Sequence, residues 1–394
     1  MHILINGSFW TQPKTGSGQY LHGLARWLPQ VAPQHRYTLM IPATNDLRQT
    51  APPGITVLPL RTPFDGRSEN LAKLWFEQIS VPQVARLIDK REARREARTI
   101  IHVPYAAPPL RCATPVITTV HDIIWKLLPE YAGSLQARLY YRLVSAAVRR
   151  VAWVITDSEH SRNDIIRGLG CAPDRVSTIY LAAGEQYQAD DKAVAQSIVT
   201  ARYGIAAPFV YYVGGLDARK NVATLIRAFA LLQHDGSNAT LVIAGRALGS
   251  NPRLFPDLDA LIDRLQLGDM VRRIEVSYED GPLLYQASTV FAYPSRYEGF
   301  GLTPLEAMVC GAPVVVSNAS SLPEVVGEAA LCVPPGDAAA WAHALSRLLA
   351  DPAAREDLRQ RGLKQAARFS WQRVAQETVQ IYERCAASGQ ATAG

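Results

Sequence analysis

Phe209-Val-Tyr-Tyr-Val-Gly-Gly-Leu-Asp-Ala-Arg-Lys-Asn221 is the stretch on which the fold turns. Its first five residues are apolar and read as a strand covered on both faces. Two glycines then turn the chain, and a helical pattern follows from about Lys220. A strand passing through a glycine turn into a helix is the opening unit of a doubly wound α/β sheet. The same order stands at the start of the chain, where the apolar residues 3–6 lead to Thr15-Gly-Ser-Gly18 and a helix from Gln19. Outward from these openings, short apolar runs alternate with helical patterns. Residues 2–6, 37–41, 56–60, 100–103, 116–120, 152–156 and 176–179 form one series of expected strands. Residues 209–213, 239–244, 271–274, 289–292 and 313–316 form a second. Between the series, 181–192 is rich in Ala, Gly, Gln and Asp and reads as a linker. A chain of 394 residues is long enough for two cores. The expected domains are 1–185 and 186–368, each Rossmann-like, followed by an amphipathic helix from Trp371 to Arg384 and a frayed tail within 369–394.

Composition narrows the class. Hydrophobic residues make up 48% and charged residues 19%, the profile of a globular chain rather than a disordered one. No apolar run reaches the length of a membrane span. Met1-His-Ile-Leu-Ile-Asn-Gly7 lacks the basic region and long apolar core of a signal peptide. The five cysteines, Cys112, Cys171, Cys310, Cys332 and Cys385, are odd in number and lack metal-type spacing, which points to a reducing cytoplasm. A net charge of +6, from 41 Lys+Arg against 35 Asp+Glu, favours an anionic partner. The densest basic run, Arg86 to Arg98, reads as a solvated helix end laced by Glu92 and Glu96. Contact with anionic lipid headgroups at the inner membrane face is the other reading. Without interleaved aromatics, it does not read as a nucleic-acid site.

Several clusters carry chemistry. Gly16-Ser-Gly18 departs from the dinucleotide fingerprint Gly-x-Gly-x-x-Gly, because position 21 is Leu; a nicotinamide enzyme is disfavoured. Gly214-Gly215 followed by Arg219-Lys220 is more specific. Cations at a helix start are disfavoured unless an anion neutralises them, so the pair points to phosphate. At roughly 4 Å and an effective dielectric near 20, each would attract a departing diphosphate by about 4 kcal/mol gross. Tyr293-Pro-Ser-Arg-Tyr-Glu298-Gly-Phe-Gly301-Leu-Thr-Pro-Leu-Glu306 follows a strand and so occupies the sheet's carboxyl edge. Thr303-Pro304-Leu305-Glu306 has the form of a capping box, which gives Glu306 a structural use. Glu298, in a loop between glycines, has no such use. His121-Asp122 reads either as a local hydrogen-bonded turn or as a polar pair facing a ligand. Ser158 reads as a helix N-cap, and Arg162 as a weaker ligand candidate. Asp257-Leu-Asp259 resembles a metal-binding Asp-x-Asp but lies at an expected helix start.

Together these segments resemble the retaining nucleotide-sugar glycosyltransferases of family four, which have the GT-B fold. The likeness runs through Gly16-Ser-Gly18, His121-Asp122, Ser158-x-x-Ser161-Arg162, Gly214-Gly215, Arg219-Lys220-Asn221, Glu298-x7-Glu306, Cys310-Gly-Ala-Pro-Val-Val and Ser321-Leu-Pro-Glu-Val. It implies two domains facing across a cleft, with the C-terminal helix crossing back to the first. It assigns Arg219 and Lys220 to the donor diphosphate, and Glu298, with the backbone of Gly299, Phe300 and Gly301, to the donor sugar. The amides of Leu302 and Thr303 would meet the diphosphate, and Glu306 the ribose hydroxyls. His121 would contact the sugar near the reaction centre, and Gly18 would approach the phosphates. No cofactor or metal is implied; the nucleotide sugar is a co-substrate, and the acceptor is a glycan, lipid-linked in the reading that uses the basic run. The wording around Glu298 and Arg219 leans towards GDP-mannose. A UDP-sugar-dependent transferase, an epimerase of related fold and a degenerate nucleotide-sugar-binding protein remain the alternatives.

Overall fold

A computed structural model describes residues 1–43, 51–95, 97–247, 249 and 251–388. The chain divides into two compact units, one comprising Met1–Leu181 and the segment from Ser370 onward, the other Ala182–Phe369.

In the first unit, seven parallel strands form one sheet: β1 (His2–Asn6), β2 (Arg36–Pro42), β3 (Ile55–Leu60), β4 (Thr99–Val103), β5 (Val116–Thr119), β6 (Trp153–Thr156) and β7 (Val176–Thr178). Their order is β3-β2-β1-β4-β5-β6-β7, so the winding reverses between β1 and β4. Its helices are α1 (Gly16–Val31), α2 (Glu69–Trp75), α3 (Val81–Ala93), α4 (Ile124–Leu127), α5 (Leu135–Val148) and α6 (Glu159–Leu169). Local chemistry explains several of their starts. Thr15 caps α1 by accepting from the Gly18 amide, and Ser158 caps α6 by accepting from the Ser161 amide. A Cβ on Gly18 would lie 1.9 Å from the Gln12 carbonyl oxygen. Close backbone packing therefore demands glycine there, whatever else the turn does.

The second unit repeats the plan with β8 (Phe209–Val213), β9 (Thr240–Ala244), β10 (Val271–Ile274), β11 (Val290–Tyr293), β12 (Val314–Ser317) and β13 (Ala330–Val333). All are parallel, in the order β10-β9-β8-β11-β12-β13, with the reversal between β8 and β11. The short edge strand β13 has no counterpart in the series read from the sequence. Its helices are α7 (Lys192–Tyr203), α8 (Val222–His234), α9 (Leu258–Arg264), α10 (Gly281–Ala287), α11 (Leu302–Val309), α12 (Leu322–Val326), α13 (Ala338–Ala350) and α14 (Pro352–Ala366). Phe209, Val210, Tyr211 and Tyr212 of β8 are all buried, each worth roughly 1.5–3 kcal/mol of transfer free energy. Asp257 caps α9 and Asp259 pairs with Arg273, so the Asp-x-Asp is helix-start charge.

The last helix, α15 (Trp371–Ser388), belongs to the first unit and extends four residues beyond the expected end at Arg384; only 389–394 of the expected tail lie outside the described residues. Trp371 fills space where Gly23 has no side chain, and Tyr382 lies 2.7 Å from His102 Nδ1. Among the described residues no helix is long and apolar enough to cross a membrane. All five cysteines are free; Cys171, Cys310 and Cys385 are buried, Cys112 is half-buried and Cys332 exposed. The basic run departs from expectation. Glu92 keeps its expected neighbour Arg95 at 3.9 Å, but it is buried rather than solvated, pairing also with Arg36 on β2 and lying 3.7 Å from His2 of β1. Glu96, the other acid of the run, lies outside the described residues.

Candidate functional site

In a doubly wound sheet, the point where strand order reverses leaves a crevice at the strands' carboxyl ends. In the second unit that point separates β8 and β11, and the loops leaving these strands carry most of the residues singled out in the sequence. Gly214 and Gly215 follow β8. The Gly214 amide donates to the Ala244 carbonyl at 3.0 Å, and the Gly215 carbonyl accepts from Tyr212 at 2.6 Å. Arg219 and Lys220 then lie in a single 3-10 turn, Ala218–Lys220, rather than at the start of the long helix. Asn221 adopts a left-handed conformation (φ 59°) that separates this turn from α8. Its side-chain amide donates to the carbonyls of Pro294 at 3.1 Å and Pro335 at 2.6 Å. Asn221 thus ties the cation turn to the Glu298 loop, a role the sequence did not disclose.

Glu298 does have a structural use, contrary to the sequence reading. Its Oε1 lies 2.7 Å from Lys220 Nζ and 3.1 Å from Arg219 Nη1, and accepts from the Tyr293 hydroxyl at 3.1 Å. Lys220 also donates to Tyr293 at 2.5 Å. Burial alone would raise the Glu298 pKa, but Lys220 and Arg219 outweigh it and hold the carboxyl at about 2. The two cations are therefore neutralised internally, with Asp217 another 3.5 Å from Arg219 Nε. All three side chains keep 12–13% of their surface accessible, so the cluster is reachable. The loop is held by its backbone: the Glu298 amide donates to Ser320, and its carbonyl accepts from Ser321. Phe300 is buried against Phe369 and its carbonyl also accepts from Ser321. Gly299 is buried between them.

Gly301, at φ +125°, brings the chain into α11 in a conformation that favours glycine. No side chain caps α11, so the expected capping box does not form. Thr303 instead hydrogen-bonds Tyr293, and the first amides of α11, from Leu302 and Thr303, lie at an end that favours an anion. Glu306 turns inward, is 6% exposed, and accepts from the Tyr285 hydroxyl at 3.1 Å. Burial raises its pKa to about 8 despite hydrogen bonds from Tyr285 and Tyr187. Burial thus favours its protonated form, which can donate as well as accept.

The remaining candidates belong to the first unit. His121 follows β5 and its Nδ1 lies 2.7 Å from Asp157 Oδ2, at the end of β6, instead of pairing with Asp122. Asp122 accepts from the Ile124 amide in a local turn. Burial disfavours the imidazolium, but the charge and hydrogen bond of Asp157 outweigh it and raise the His121 pKa. Gly16 faces open space, whereas the Gly18 amide is engaged by Thr15. Arg162 is tied down, donating to the carbonyls of Val176 and Pro173. Asp157 was the missed partner here; its signal is its place directly after a strand, which mirrors that of His121. Among the described residues no cluster of three His, Cys, Asp or Glu could hold a metal ion.

These units match known proteins. A family model for Glycosyl transferases group 1 covers residues 204–365, and one for Glycosyltransferase Family 4 covers 14–182. The chain is 35% identical over 270 residues to O-antigen chain mannosyltransferase B of Escherichia coli, spanning 68% of this chain and 70% of that one. It is 29% identical over 281 residues to the serotype-specific mannosyltransferase WbdA of Escherichia coli, over 70% of this chain but 34% of that larger protein. Sucrose-phosphate synthase from Thermosynechococcus elongatus shares the fold, with a TM-score of 0.72 at 23% identity, over 98% of this chain and 100% of the other.

Proposed function

The chain belongs to the family-four glycosyltransferases, with the GT-B fold, and from that premise we propose that its second unit binds a nucleoside diphosphate hexose through the Lys220–Arg219–Glu298 cluster. The single observation that carries this reading is the largely buried but still reachable ion triad at the reversal between β8 and β11. An incoming diphosphate can take the cations, and sugar hydroxyls can take the carboxylate; the triad exchanges internal partners for a ligand. The Leu302 and Thr303 amides would add the partial charge of a helix N-terminus. Glu306 would hold the ribose hydroxyls as a neutral acid, with Tyr285 orienting it. Gly214 and Gly215 would line the phosphate path.

The donor favoured is GDP-mannose, because two relatives are named mannosyltransferases. The acceptor is a glycan hydroxyl, lipid-linked, in assembly of a cell-surface polysaccharide, a reading supported by the printed name of the O-antigen relative. Transfer retains configuration: the bond from the anomeric carbon to the phosphate oxygen breaks, the acceptor oxygen bonds on the same face, and its proton passes to the leaving phosphate. The protein's part is placement and charge stabilisation. Two fixed cations can supply the charge compensation, and we expect EDTA to leave turnover unchanged.

A thermal-shift panel of GDP, UDP and ADP with their sugars tests the donor, since ligand binding raises apparent stability by mass action. GDP and GDP-mannose should give the largest shifts, and Lys220→Ala should abolish them. A larger shift with UDP-sugars would replace the donor, and no shift with any nucleotide would end the reading.

A further inference from the structure

One helix of the first unit carries two apolar faces. On α5, Val144, Ala147 and Val148 are buried in the core. Leu135, Leu139 and Leu143, four residues apart, are 82%, 59% and 46% exposed. At about 100° per residue these leucines fill an arc of roughly 80° on the side away from Val144 and Val148. Residues 135–143 contain no buried side chain at all. Isolated exposed leucines are ordinary; a stripe of three on successive turns is not. Arg138 and Arg142 border the stripe, Arg149 and Arg150 follow it, and no acidic residue occurs between Gly133 and Arg150.

We propose that the exposed face of α5 docks on an anionic lipid bilayer, with Leu135, Leu139 and Leu143 among the acyl chains and Arg138 and Arg142 on the headgroups. Helices that lie in the bilayer interface have this division between an apolar stripe and flanking cations. A second copy of the chain fits poorly, because a two-fold contact through this face sets Arg138 and Arg142 near their own images. A spanning role is excluded by length, since α5 has 14 residues and a span needs about 20. The helix lies between β5 and β6, whose carboxyl ends carry His121 and Asp157. Docking here would therefore bring a lipid-linked acceptor to the edge of the sheet that holds His121. The anionic source is the lipid, and α5, rather than the Arg86 to Arg98 run that begins on α3, is the contact.

The test is co-sedimentation of the full chain with phosphatidylcholine vesicles, with and without roughly one third phosphatidylglycerol. Parent protein should bind the anionic vesicles. Leu135→Gln, Leu139→Gln and Leu143→Gln together should lower the bound fraction about ten-fold while leaving the nucleotide thermal shift intact, which shows that the variant folds. Arg138→Gln with Arg142→Gln should weaken binding to anionic vesicles alone, and high salt should remove that difference. Arg86→Gln, Arg91→Gln and Arg94→Gln together should change binding less than about two-fold. Lys220→Ala should bind vesicles as the parent does, so failure of the donor reading and failure of this one are distinguishable. Unchanged binding by the leucine variant overturns the proposal. So does loss of binding in the α3 variant alone, or a parent that ignores vesicles and self-associates through α5.

Discussion

The two reversal points of the molecule hold the same three residue types in different balance. In the second unit, Tyr293 donates to Glu298 at 3.1 Å, and Lys220 lies 2.7 Å from that carboxylate and 5.0 Å from the tyrosine ring centroid. In the first unit, Tyr105 donates to Glu77 at 2.7 Å, and Lys73 lies 3.9 Å from the carboxylate and 5.8 Å from the ring centroid. Yet Glu298 is held at about 2, whereas burial raises the Glu77 pKa above its usual value. Two things differ. Arg219 adds a second cation beside Glu298, and Lys73 is 48% exposed where Lys220 is 12% exposed. A solvated, distant lysine does not offset desolvation; a close, sheltered pair of cations does. Similar topology and residue types thus produce an ionised cluster fit for phosphate in one unit and, in the other, a carboxyl whose charged form burial disfavours.

The largest way to break this contrast is Lys220→Ala, which should lower kcat by on the order of 10²–10³-fold, as loss of one charge-stabilising donor does elsewhere. Turnover close to that of the parent, measured with saturating donor, would remove Lys220 from the diphosphate. Next, Glu298→Gln should cost about 2 kcal/mol at neutral pH by urea unfolding, since charge-assisted hydrogen bonds are lost. The folded pKa of Glu298 is depressed, so this stabilisation is present above about 4.5 and fades as pH falls towards about 2. A penalty that stays constant down to pH 2 would show that ionisation is not its source. Glu77→Gln should have the reverse trend. Because the folded pKa of Glu77 is raised, the parent loses stability as pH climbs above the ordinary carboxylate range. The variant should then gain on it by about 1 kcal/mol or less. The smallest effect is expected from Asp157→Asn. Without that charge the His121 pKa should fall, moving the matching limb of the transfer pH profile to lower pH.

Strand alternation and the glycine turns carried nearly all of the fold, because parallel strands covered on both faces leave unbroken apolar runs. β13 escaped because Ala330-Leu-Cys-Val333 is a short edge strand with two partly accessible residues, so its apolar run is brief even though Pro334-Pro335-Gly336 marks its end. At the site, residue types were legible and partners were not. Glu298 reads as a lone loop carboxylate because Lys220 and Arg219 lie 78 and 79 positions earlier. Thr303 satisfies a capping pattern, but Gly301 already starts α11, and the threonine hydroxyl is used by Tyr293. His121 and Asp122 are neighbours in sequence, yet successive residues point apart, and the imidazole meets Asp157 from the next strand. Periodicity reports burial; it carries no information about which distant group shares the space.

α15 closes the first unit with residues 371–388, which follow the whole of the second unit in sequence. During synthesis, residues 182–369 can emerge and fold as one uninterrupted stretch. The first unit cannot: Trp371 beside Gly23 and Tyr382 beside His102 are still inside the ribosome when its seven strands are already outside. The sheet of the first unit must wait for this wall, so the unit begun first is completed only after the second.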